Sequence, residues 1–378
     1  KGKALSQRAH VLPDAHRGKG LLKTLDKWAY RKDYTAELAR YLAENTSEDR
    51  DLIKRLFDCG NFLKFGLWAI PEIPRPKLLN SNFCKNHHLC ANCASRRSVS
   101  SAAAIAEKLN YLLQLYPSYK LLFVTRTIRN RPDLQSAYLH LRSSERKLRQ
   151  IVRDSKKSKA RKNVFNPLLY CQSIAGAGGY EITYNPKNQT WHPHTHEIIL
   201  VPKSISSYDL DSEIEKLWLK ITKDSYITRV KEVRNDSKDD LAKACFEIMK
   251  YSFKQKGMSP KLQYQAYQIV KGKRLQYAFG LLHGFTFPDH YEATDILKLM
   301  RDNPYTELVF KYVVDHYEQI RESRKSGYLS DHEFHQSNED EFSLLTSLRE
   351  SVLKSHGIPL DASIKQQEAI LNARSRQF

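Results

Sequence analysis

The chain has 378 residues, with 62 lysines and arginines against 42 aspartates and glutamates, a formal net charge of +20 and a pI near 9.5. That length suits two or three domains with a sizeable core, and the excess of cations suits a nucleic-acid partner. No run approaches the roughly 18 apolar residues of a membrane span, so a soluble protein is expected. The chain opens on Lys1 rather than methionine, which leaves a lost N-terminal segment open.

Residues 1–50 are polar and charged, with helical spacing between Leu21 and Leu42. A regulatory arm and a helix packed on the main body fit them equally. Residues 51–97 hold Cys84-x5-Cys90-x2-Cys93, followed by Arg96-Arg97. A Cys-x2-Cys pair with a third thiol nearby is the spacing of a tetrahedral zinc half-site, and its alternative is a set of buried, unligated thiols. Cys59 is the expected fourth ligand, with His87 or His88 as substitutes. Four protein ligands leave no position for substrate, so such a Zn²⁺ would be structural.

From residue 98 the pattern becomes regular. Helices are expected at 98–115, 132–154, 210–222 and 239–255, and strands at 120–128, 180–184, 191–201 and 226–233. From the first of these strands the order is β-α-β-β-α-β, that of an α+β, ferredoxin-like antiparallel sheet with helices on one face. Residues 98–290 are expected to form this domain. Beyond it, 295–300, 305–320 and 342–355 carry helical apolar spacing around a polar linker, so 291–378 is expected to be a helical C-terminal region.

The stretch Trp191-His192-Pro193-His194-Thr195-His196 leads into Glu197-Ile-Ile-Leu-Val. On a strand His194 and His196 share a face, about 7 Å apart, and can grip one ion. The turn signal Asn185-Pro186-Lys187-Asn188 makes a hairpin in which position i pairs with roughly 375 minus i, setting Glu181 opposite His194. A one-residue slip would turn Glu181 to the other face. Two imidazoles and a carboxylate suit Mn²⁺ or Mg²⁺ and leave positions for a phosphate oxygen, although two exposed histidines with no metal are the commoner meaning of His-x-His. His192 is a further contact, an outer partner of the ligands or a DNA contact. Glu197 points away from both histidines.

In the helix after the last strand, Glu247, Tyr251 and Lys254 fall on one face at i, i+4 and i+7. A tyrosine nucleophile needs a nearby cation or metal, which Lys254 or Lys250 can provide, and Glu247 can take a proton. The densest basic stretch holds Lys156, Lys157, Lys159, Arg161 and Lys162, after Arg146, Lys147, Arg149 and Arg153. Arg96, Arg97, Lys271, Lys273 and Arg274 are further candidate DNA contacts.

Together these segments resemble the HUH endonucleases, and more closely the rolling-circle plasmid replication initiators of the Rep_1 type. Phe123-Val124-Thr125-Arg126-Thr127 looks like the family's first strand motif, usually Phe-Leu-Thr-Leu-Thr. Trp191–His196 is close to its metal motif, and Glu247-x3-Tyr251-Ser-x-Lys254 to its catalytic-tyrosine motif. Thr195 stands where the family name implies a hydrophobic residue, and Arg126 where the first strand has an apolar one. The resemblance implies that Tyr251 attacks a phosphodiester at a plasmid origin, becomes linked to the 5′ phosphate and frees a 3′ hydroxyl. It also implies host helicase and DNA polymerase as partners, a bacterial cytoplasmic setting, and an extruded hairpin as substrate. With one tyrosine in the motif, Glu247 is the expected activator of a terminating water. A conjugative relaxase or single-tyrosine transposase would share the chemistry; a zinc-containing DNA-binding regulator would share only the cysteines and the charge.

Overall fold

The computed structural model of the chain describes residues 18–68, 76–160, 168–234, 238–249, 258–288, 299–300 and 302–325. Two antiparallel sheets organise them. The larger is built from β3 (Tyr119–Thr127), β4 (Ala175–Asn185), β5 (Thr190–Pro202), β6 (Thr228–Glu232) and β7 (Gln276–Gly280), in the order β6-β3-β5-β4-β7. The smaller contains β1 (Phe62–Trp68), β2 (Lys77–Asn80), β8 (Tyr305–Val313) and β9 (His316–Lys325), in the order β2-β1-β8-β9.

Strand β5 dictates how the larger sheet is covered. Ile198, Ile199, Leu200 and Val201 are all fully buried, so consecutive side chains on opposite faces both need a layer above them. On one face lie α4 (Leu134–Ala160) and α5 (Ser207–Thr222), which bring Leu141, Leu148, Ile214 and Trp218. On the other lie α3 (Ala91–Leu115) and α6 (Lys238–Met249), with Leu109, Leu112, Leu241, Cys245 and Ile248 against Ala175, Ala177, Ile198 and Leu200. Helices on a single face, as sequence order suggested, would leave half of that strand in water. Burial in this layer pushes the Cys245 thiol up to about 12.

The remaining helices are α1 (Gly18–Asn45), α2 (Arg50–Asp58) and α7 (Pro260–Val270). Helix α1 packs on the body of the molecule. Leu21, Leu25 and Trp28 sit against Leu63, Phe65, Leu308 and Phe310 of the smaller sheet, while Leu38, Ala39 and Leu42 back the cysteines. Helix α3 runs straight through the boundary expected at residue 97.

The expected helix at 305–320 is instead the β8–β9 hairpin, and this corrects the reading of the C-terminal region as helical. Tyr305, Thr306, Val309, Phe310, Tyr312 and Val313 are aromatic or β-branched, residue types that suit a pleated surface better than a helix. Strand β8 pairs along all of β1, from Phe62↔Lys311 to Trp68↔Tyr305, and Trp68 stacks on Tyr305 with ring centroids 4.7 Å apart. The expected helix at 342–355 lies outside the described residues.

Behind the larger sheet, two departures from the family pattern meet. Arg126 and Thr195 are register partners on β3 and β5. The Arg126 guanidinium, fully buried, donates to both carboxylate oxygens of Glu145 on α4 (2.8 and 3.1 Å) and to Glu197 (3.1 Å). Thr195 donates to the same Glu145 at 3.1 Å, and Tyr170 donates to Glu197. Burial alone would raise the Glu145 carboxyl, but the Arg126 charge outweighs it and holds the group below its ordinary value.

Removing one partner of such a buried set strands the remaining charge. Glu145→Ala is expected to destabilise the fold by roughly 3–5 kcal/mol in urea unfolding. A depressed folded-state carboxyl adds stability that is complete above the ordinary carboxylate range and is lost as pH falls through the folded value. Stability should therefore drop on acidification, and Glu145→Gln should flatten that drop.

Candidate metal centres

Among the described residues two groups of ligating side chains converge: Glu181, His194 and His196 on the larger sheet, and Cys59, Cys84, Cys90 and Cys93 beside it. The first depends on hairpin register. Asn185 accepts from the backbone N–H groups of Lys187 and Asn188 (3.0 and 3.4 Å), and Gln189 takes a left-handed φ of 51°. That turn closes Asn185 on Thr190 and sets Glu181 opposite His194, the register the turn signal predicted. The Glu181 Oε2 atom lies 3.2 Å from His194 Nε2 and 3.1 Å from His196 Nε2.

The far side of each imidazole is also held. His194 Nδ1 lies 3.1 Å from the His192 carbonyl, which can only accept, so the ring proton belongs on Nδ1 and the Nε2 lone pair faces Glu181. A lone pair and a carboxylate oxygen at that distance repel unless a cation or proton lies between them, which fits a divalent ion on this donor set. His196 Nδ1 is 3.0 Å from the Thr125 hydroxyl, and its ring lies 5.4 Å from Phe123. Thr125 is thus the residue of the first strand motif that reaches the site, a role the motif alone did not assign. His192 stays outside the group of three; its Nδ1 bonds Asn130 at 2.5 Å and its ring lies 5.0 Å from His194.

The same face receives the end of α6. A Cβ on Gly179 would lie 2.4 Å from the Ile248 carbonyl oxygen, so only glycine lets the helix come this close to β4, two residues from Glu181. Gln276, beside Gly179 on β7, donates to the Met249 carbonyl at 3.0 Å. Neither residue carries a sequence signal, because a lone Gly or Gln in a strand has no motif. Glu247 sits exposed in the last turn of α6. Tyr251 and Lys254, like Lys250, lie outside the described residues.

In the second group the sulfurs of Cys59 and Cys90 are 3.4 Å apart, those of Cys59 and Cys93 3.7 Å, and those of Cys84 and Cys93 3.6 Å. Tetrahedral zinc with bonds of about 2.3 Å holds its sulfurs about 3.8 Å apart, so the cluster fits that ion closely. Cys90 caps the N-terminus of α3, and its sulfur receives the Cys93 N–H at 3.5 Å. Hydrogen bonding from Cys59, then Cys84 and Cys93, holds the Cys90 thiol well below its ordinary value. Lys32 of α1 is buried beside the group, where burial lowers its ammonium and the Cys59 charge opposes that shift. His87 and His88, the alternatives to Cys59, are not in the cluster.

Those histidines line a cleft of about 350 Å³ with Arg97, Lys273, Arg274, Met249 and Gln276. Burial, then His88 and Arg97, pushes His87 down to about 4. The other candidate DNA contacts are dispersed. Arg96 lies over the Phe83 ring at 3.6 Å, and Lys271 pairs with Glu48 at 3.7 Å. Lys156 donates to the Ser173 carbonyl at 2.7 Å, which ties it to the fold, whereas Lys157 is exposed. The side chains of Lys159, Arg161 and Lys162 lie outside the described residues.

An α+β protein with antiparallel sheets and two convergent ligand sets is the class these observations define. A family model described as "Replication protein" matches residues 75–322, and the chain belongs to that family, Rep_1. It is 28% identical over 236 residues to a "Protein rep" of Streptococcus pneumoniae serotype 2, covering 60% of this chain and 67% of the relative. A "Protein rep" of Staphylococcus aureus is 27% identical over 238 residues, covering 61% of this chain and 93% of the relative. One from a Bacillus species is 31% identical over 222 residues, covering 53% and 66%. No solved structure matches the chain. Among the described residues no helix is long and apolar enough to cross a membrane.

Metal analysis separates the two centres. The purified protein is expected to carry tightly bound zinc by elemental analysis, and Cys59→Ser to lose most of it and melt at a markedly lower temperature. His194→Ala should keep that zinc and abolish binding of added Mn²⁺ in calorimetry.

Proposed function

We propose that this chain is a plasmid rolling-circle replication initiator that nicks one DNA strand at its origin by tyrosine attack. The observation that carries the proposal is the Glu181–His194–His196 cluster with the end of α6 drawn against it through Gly179. Family membership makes replication the process, and the site supplies the chemistry. The strand order β6-β3-β5-β4 further supports a ferredoxin-like core, to which β7 adds one edge strand.

A divalent ion, when bound, would polarise the scissile phosphate. The protein supplies the rest. Glu181, His194 and His196 would hold the ion, with Thr125 and the His192 carbonyl fixing both rings. Tyr251 attacks phosphorus: its Oη–P bond forms, the P–O3′ bond breaks, and the 3′ oxygen leaves as a hydroxyl after taking a proton. Lys254 favours the Tyr251 phenolate, whose proton passes to water, and water returns a proton to the leaving 3′ oxygen. The 5′-phosphotyrosine is later hydrolysed. Glu247 takes a proton from water, the water oxygen bonds to phosphorus, and the P–Oη bond breaks to restore Tyr251. The free 3′ hydroxyl is the primer end a DNA polymerase needs. Four-cysteine zinc would serve the fold, leaving catalysis to the histidine site.

A labelled hairpin oligonucleotide incubated with Mn²⁺ and run on a denaturing gel tests this reading. A covalent protein–DNA band that vanishes in Tyr251→Phe is expected. Tight binding without cleavage in any metal would overturn it and leave a DNA-binding regulator. Glu247→Ala should spare nicking and slow release of the adduct at least tenfold; equal loss of both steps would remove Glu247 from termination.

A further inference from the structure

The face of the larger sheet that bears the histidines is only partly covered. Helix α3 extends over it as far as Leu121 and Val233, which are buried together. Beyond that point no described helix covers the outer strand. In an antiparallel ladder directly opposite residues share a face, and Phe123 pairs with Lys231, Thr125 with Arg229. Thr125 also pairs with His196 across β5. Arg229, Thr125 and His196 therefore stand in one row, and the Arg229 backbone lies about 10 Å from that of His196. Along β6 the exposure alternates with this geometry: Arg229 and Lys231 are exposed, while Val230 between them is buried against α5. Just before the strand Ile227, of the same parity as Arg229 and Lys231, is 60% exposed.

The charges on this strip are uncompensated. Glu232 turns to the opposite face and pairs with Lys120 at 3.0 Å. Among the described residues no carboxylate pairs with Arg229 or Lys231. Two cations about 7 Å apart, beside a half-buried Phe123 and the exposed Ile227, combine phosphate neutralisation with an aromatic ring and apolar surface for bases.

We infer that this strip, Arg229 and Lys231 with Phe123 and Ile227, binds the single-stranded segment next to the scissile phosphate and feeds it across β3 to the histidine site. The inference rests on the proposal that the chain processes DNA. It deepens that proposal by naming an edge-strand track carrying none of the basic motifs seen in the sequence. Duplex DNA fits it less well, because stacked bases cannot lie on a sheet face.

Fluorescence anisotropy with a labelled 15-nucleotide oligo(dT), and with a duplex of equal length, tests the track. EDTA in the buffer makes the readout independent of metal and cleavage. In R229E/K231E, affinity for the single strand should fall at least tenfold near physiological salt. The slope of log affinity against log salt should shrink by roughly 1.4, the value for two lost phosphate contacts on a single strand. The milder R229Q/K231Q should show the same slope change and stands in if charge reversal disturbs the edge strand. K216E/K220E, on α5 over the other sheet face, removes equal charge and should change neither quantity by more than about twofold. Equal loss in that control, a loss confined to duplex, or no loss would overturn the inference. A wild-type protein that binds oligo(dT) through the strip yet forms no covalent adduct with Mn²⁺ would refute the nicking proposal alone.

Discussion

Everything at the histidine site follows from one backbone pairing, Glu181 opposite His194. Side chains alternate strictly along a strand, so a single-residue slip of β4 against β5 would send Glu181 to the α4–α5 face, away from His194 and His196. The molecule guards against that slip twice. Asn185 fixes the turn through two hydrogen bonds, and Tyr180 and Ile182, buried in the α4–α5 core, would leave it if Glu181 turned there. The carboxylate thus reaches the imidazoles through the folding of the hairpin, with no need for the ion to assemble its own ligands.

On the reverse of the same strands the register does a second job. Arg126 and Thr195 replace apolar residues of the family pattern, and each is unfavourable alone in a buried sheet. Together with Glu145 they form one satisfied set, so the pair reads as a single exchange of apolar for polar packing. Such sets are weak contributors to net stability but strong selectors of arrangement. Here the set ties α4 to the two strands whose other faces carry Thr125 and the histidines.

Much of this was legible in the chain. The His-x-His strand, its turn and the position of Glu181 followed from alternation and a short turn signal, both local properties. Cys84, Cys90 and Cys93 left a tetrahedron incomplete, with Cys59 the first choice to fill it and His87 or His88 as substitutes; the four sulfurs converge and the histidines stay outside. What escaped was non-local. The stretch Ala175–Gly179 reads as a loop by composition, yet it is strand, because its small residues make room for β7 and α6. Arg229 and Lys231 look like scattered surface charges until the register lines them up with His196. The β8–β9 hairpin imitates helical spacing, and only its pairing with β1 reveals its type.

That last pairing has a consequence for the birth of the molecule. Strand β1 lies between β2 and β8, and β8 begins more than two hundred residues downstream of it. During synthesis the cysteines, α1 and the whole histidine sheet leave the ribosome before β1 can acquire its second neighbour. Contacts this distant in sequence form late. Until they do, Leu63 and Phe65 lack the cover of Leu308 and Phe310. The smaller sheet is therefore completed last, after the whole histidine sheet has left the ribosome.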